Sequence, residues 1–141
     1  MILDSSALVD FLDPETDHHE DVRSYIEDRP TQPWFSPTIV LFELYQYRAR
    51  QAGRDGVADL AERLDWVDPL EFTEPAAREA AVIDAELMAD GNPINMMDVL
   101  IAGVARSVDM ALLARDGDFE RIAGLDVEYY AATDREASDS N

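Results

Sequence analysis

The chain has 141 residues, 31 acidic against 11 basic, for a formal net charge of -20, and 47% of its residues are hydrophobic. That length holds one sizeable core, the absence of cysteine excludes disulfide frameworks and thiolate metal sites, and no apolar run approaches the roughly 20 residues that cross a bilayer. Every basic residue is Arg, and the composition predicts a folded, cytoplasmic domain with no visible signal peptide, its acidic coat suited to a high-salt host where carboxylate repulsion is screened within about 3 Å at 1 M.

Residues 1–4 predict a short strand, and Asp4, Ser5 and Ser6 ahead of Ala7, Leu8, Phe11 and Leu12 predict a capped helix that Pro14 stops. Residues 17–28 predict a second helix, with His18, Val22, Tyr25 and Ile26 on one face. Pro30 and Pro33 bracket a turn before a strand at Trp34, Phe35 and Ser36. Thr38 is expected to cap a helix over residues 39–51 that ends at Gly53, followed by another over residues 55–64. Residues 66–72 contain Pro69 and read as a short strand at best. Thr73 opens an Ala-rich helix that closes at Gly91, with Ala77, Ala81, Ala85 and Met88 expected on one stripe. Asn95 then caps an apolar helix, residues 110–114 form a strand, residues 119–122 a short helix and residues 127–130 a last strand. Residues 133–141 are polar and expected to fray, which leaves one domain over residues 1–132. Alternating strands and helices predict an α/β fold on a mostly parallel sheet.

In such sheets ligands bind beyond the carboxyl ends of the strands, where Asp4 and Asp116 stand. Each also has an ordinary reading as a helix N-cap, and Asp98 reads as a first-turn residue favoured by the helix dipole. Glu43 lies in a run from Ile39 to Tyr45 that is otherwise apolar on every side, so it is expected to be buried and to need a partner, either an Arg or a metal ion. Four carboxylates in one pocket would repel one another without a cation. An all-oxygen set selects a hard ion, Mg²⁺ or Mn²⁺, the usual agents of phosphoryl chemistry.

The acidic balance does not exclude a nucleic-acid partner, because counterion release contributes little in molar salt and metal ions, hydrogen bonds and stacking remain. Tyr45, Tyr47, Arg48, Arg50 and Arg54 interleave aromatic and basic groups just after Glu43, which suits either stacking on unpaired bases or ordinary helix packing. His18 and His19 are expected to have ordinary surface or packing roles, and Met96 and Met97 to lie in the core.

The runs ILDSSALVDFL, SPTIVLFELYQYRAR, INMMDVLIAGVARSVDMALLARDGDF and GLDVEYY, in this order, resemble the PIN-domain ribonucleases of the VapC toxin type over residues 1–130. The resemblance implies a three-layer α/β/α sandwich and an acidic quartet at Asp4, Glu43, Asp98 and Asp116. It adds Asp118 as a further acid and Ser6 as a small hydroxyl beside the site. It also implies Mg²⁺ or Mn²⁺, RNA as substrate, a homodimer and a cognate antitoxin whose tail fills the cleft. Ala114 departs from the pattern, since the family often carries Thr or Ser there. A receiver domain, also rich in carboxylates, would need a Lys that this chain lacks, and a non-catalytic or RNA-processing PIN-like module is the remaining alternative.

Overall fold

The apolar run at the N-terminus becomes the middle strand of a five-stranded, all-parallel sheet in the computed structural model, which describes residues 1–131. β1 (Ile2–Leu3) lies between β2 (Trp34–Pro37) and β4 (Leu112–Ala114), with β3 (Val67–Leu70) and β5 (Val127–Tyr129) at the edges. The helices α1 (Ser5–Leu12), α2 (His19–Glu27), α3 (Thr38–Arg63), α4 (Glu74–Ala89) and α5 (Met96–Val108) flank it, which bears out the layered α/β fold. Ile2, Leu3, Leu112 and Leu113 expose no surface, as strands do when both faces of a parallel sheet are covered. The stretch expected to fray, residues 133–141, and the end of the expected domain at residue 132 lie outside the described residues.

The chain builds β1, β2 and β3 outward on one side, then crosses back to add β4 and β5 on the other. Strand order therefore reverses between β1 and β4, where α/β sheets open a crevice. The register pairs Ile2 with Leu112 and Leu3 with Leu113, so Asp4 leaves β1 level with the end of β4 and Asp116 follows two residues after Ala114. Two acids read from separate parts of the sequence thus reach one crevice.

Local differences from expectation have physical reasons. Thr38 is the first residue of α3 rather than its cap, a position held by Pro37, whose missing N–H costs the helix start nothing. The two helices expected on either side of Gly53 are continuous apart from a break at that residue (φ 62°, ψ -151°), a conformation glycine tolerates. β3 accepts Pro69 because an edge strand needs its ladder on one side only. On α4 the buried face is Ala76, Ala80, Ile83 and Leu87, one or two residues away from the expected stripe, whose members are all exposed. Ile83 and Leu87 carry more apolar area than any alanine and set the face. Met96 is 55% exposed and so is not core. Among the described residues no helix is long and apolar enough to cross a membrane.

Candidate active site

Asp4 is both a cap and a site residue. It ends β1, and its Oδ1 accepts from the Ala7 N–H at 2.8 Å to start α1. It is 2% exposed. Burial pushes its carboxyl up to about 7, against the pull of the Ala7 hydrogen bond; the Asp98 and Asp116 charges add to the rise, and the Arg115 charge opposes it.

Asp98 reaches the same crevice from α5. The Asn95 side chain caps that helix by accepting from the Met97 N–H at 2.8 Å, which places Asp98 in the first turn. Burial, followed by the charges of Asp116, Asp118 and Glu43, raises its carboxyl to about 6. Asp116 and Asp118 come from the turn after β4, where Asp116 Oδ1 accepts from the Asp118 N–H at 2.9 Å and starts a short 3₁₀ turn, Gly117–Arg121. Carboxylate oxygens of Asp98, Asp116 and Asp118 all lie within 4.8 Å of one another. That spacing and an all-oxygen donor set fit a hard divalent cation. Neither histidine belongs to the group: His18 pairs with Asp21, and the His19 ring meets the Asp10 carbonyl.

Glu43 corrects one expectation. It is exposed, not buried, because α3 turns Val40 and Leu41 to the core while Phe42 and Tyr47 stand 61% and 64% exposed. The Ser5 hydroxyl donates to the Glu43 Oε1 at 3.2 Å, and the Glu43 charge is felt by Asp98. Ser6, the hydroxyl expected beside the site, is half-buried on the same turn of α1. Arg48 and Arg50 separate. Arg48 lines a groove with Ser5, Glu43 and Tyr47, whereas Arg50 lines a different cavity with Phe42 and Tyr45.

A second polar group escaped the sequence reading. Asp10, 2% exposed on α1, accepts from the Tyr130 hydroxyl at 2.6 Å and pairs with Arg115 at 3.4 Å. The signal was present: an acid between Ala7, Leu8 and Phe11 on an apolar helix demands a partner, the argument that was applied to Glu43 instead. Through Asp10, Arg115 is tethered next to Asp116 and near Asp4.

The PIN domain family model matches residues 1–125. The chain is 31% identical over 93 residues to the tRNA(fMet)-specific endonuclease VapC of Shigella flexneri, a match that covers 64% of this chain and 70% of that one. Among solved structures it resembles VapBC2 from Rickettsia felis bound to a DNA fragment from their promoter, with TM-score 0.79 and 20% identity, covering 91% of this chain and 96% of that one. It also resembles a toxin-antitoxin complex from Klebsiella pneumoniae, with TM-score 0.71 and 15% identity, covering 93% and 98%.

Proposed function

The chain belongs to the PIN-domain family, and from that premise we propose that it is a metal-dependent endoribonuclease that hydrolyses single-stranded RNA as the toxin of a toxin–antitoxin pair. The observation that carries this reading is the convergence of Asp98, Asp116 and Asp118 within 4.8 Å beside the buried Asp4. Asp4, Asp98, Asp116 and Asp118, with Glu43 at the open side, are the residues to hold Mg²⁺ or Mn²⁺. The ion would polarise the phosphodiester and supply hydroxide near neutral pH. In this reading Glu43, which is exposed and accepts from Ser5, takes a proton from solvent-side water, and Ser6 and Arg48 contact the RNA.

The endonuclease from Shigella supports RNA as the substrate, and the toxin-antitoxin complex supports a cognate antitoxin as partner. In this reading residues 1–132 form a single cytoplasmic domain that pairs as a homodimer. Ala114, fully buried beside the acids, is the feature that favours a non-catalytic binding module. The test is turnover: purified protein at high KCl is expected to fragment mixed RNA with Mg²⁺ or Mn²⁺ and to stop with EDTA. Intact RNA under every metal condition would favour the binding module.

A further inference from the structure

A groove of about 470 Å³ begins at Ser5 and Glu43 and runs between α1 and α3 to Arg48 and Arg63. Val9, Leu44 and Leu60 give it an apolar floor. Tyr47 stands one helical turn beyond Glu43 on the same face of α3 and is 64% exposed. Arg48 is five residues past Glu43, about 7.5 Å along the helix axis. The break at Gly53 lets the far arm of α3 contribute Leu60 and Arg63 to the same groove.

Two arginines of this acidic chain line the groove. Acids outnumber bases 31 to 11, and Arg23, Arg78, Arg106, Arg115 and Arg121 all pair with carboxylates. Arg48 and Arg63, like Arg29, Arg50 and Arg54 elsewhere, pair with none among the described residues. Arg48 donates to Gln51 at 3.0 Å and Arg63 to the Leu12 carbonyl at 2.9 Å, which leaves most of each guanidinium's five donors for a ligand. Asp13, the other acid in the groove, is turned to its own backbone, accepting from the Glu15 N–H at 2.9 Å. An open aromatic ring, an apolar floor and two unpaired guanidinium groups match the base and phosphate of an unpaired nucleotide.

We propose that this groove binds the nucleotide next to the cleaved phosphodiester, with Tyr47 stacked on its base and Arg48 and Arg63 on its phosphate. The inference rests on the RNA-cleaving reading above. Stacking does not depend on counterion release, so it persists in the high salt that this composition suits. A protein segment could use the apolar floor but would need carboxylates of its own to meet both arginines.

The test uses an oligoribonucleotide that the wild-type protein cuts, selected from a random-sequence pool, and two readouts: steady-state cleavage, and fluorescence anisotropy of RNA binding in EDTA. Tyr47→Ala is expected to raise both KM and the metal-free Kd about 5- to 150-fold with kcat nearly unchanged. Tyr47→Phe, which keeps the ring, is expected to recover most of that loss. An RNA abasic at the neighbouring position should weaken binding to wild type equally and add nothing to Tyr47→Ala, a comparison that holds even if the variant folds poorly. Values for Tyr47→Ala within twofold of wild type would overturn the proposal, and so would loss of a co-expressed antitoxin with RNA binding intact. A wild-type protein that cuts no RNA would instead overturn the reading on which the proposal rests.

Discussion

At the scale of single residues, two raised carboxyls and one hydroxyl carry the sharpest consequences. Asp4 is held at about 7 and Asp98 at about 6, both above the ordinary 3.8. Between about pH 4 and pH 7 the folded protein therefore binds protons that the unfolded chain has released, so metal-free stability falls as pH rises through that window. Thermal melts in EDTA should show this slope for wild type and a weaker one for Asp4→Asn. Divalent metal should reverse it, because the ion binds the deprotonated acids and its affinity climbs over the same window. The hydroxyl is that of Ser5, which orients an otherwise exposed Glu43. Ser5→Ala is expected to lower kcat about tenfold or less with KM and melting temperature little changed. A change confined to KM would assign Ser5 to substrate binding instead.

At the scale of elements, the pairing of α4 with α5 fixes Asp98. A Cβ added at Gly103 would come within 2.7 Å of the Ala80 Cβ and 2.8 Å of the Ala76 carbonyl, so the helices touch backbone to backbone there. Gly103→Ala should cost about 1–3 kcal/mol and lower the melting temperature by roughly 5–10 °C. Any activity lost at a temperature where the variant is folded would show that helix placement reaches Asp98. The elements were largely legible in the sequence because caps and breakers are local: Asp4, Thr73 and Asn95 each cap the helix they were expected to cap. The face of α4 was not, since alanines carry too little area to mark a buried stripe and the decision lay with Ile83 and Leu87. Burial of Glu43 was misread for a related reason. An apolar run does not reveal that Phe42 and Tyr47 face solvent. Asp4 and Asp116 were readable from strand ends and Asp98 from the first turn of a buried helix, whereas Asp10, Arg115 and Tyr130 meet only through the tertiary fold.

At the scale of the whole molecule, a net charge of -20 means that the folded chain repels itself wherever salt does not screen it. Raising KCl from about 0.1 M to about 2 M should raise the melting temperature steadily, and most steeply at the low end where the screening length changes fastest. Divalent metal should stabilise the protein beyond what equal ionic strength gives, because four acids gather at one crevice. That gathering is the centre of the account, and cleavage of one RNA by wild type, Asp4→Asn and Glu43→Gln, side by side in Mn²⁺ at high KCl, tests it most directly. The account predicts cutting by wild type and a loss of at least about 100-fold in each variant, with both variants folded. Wild-type rates in both variants would contradict it.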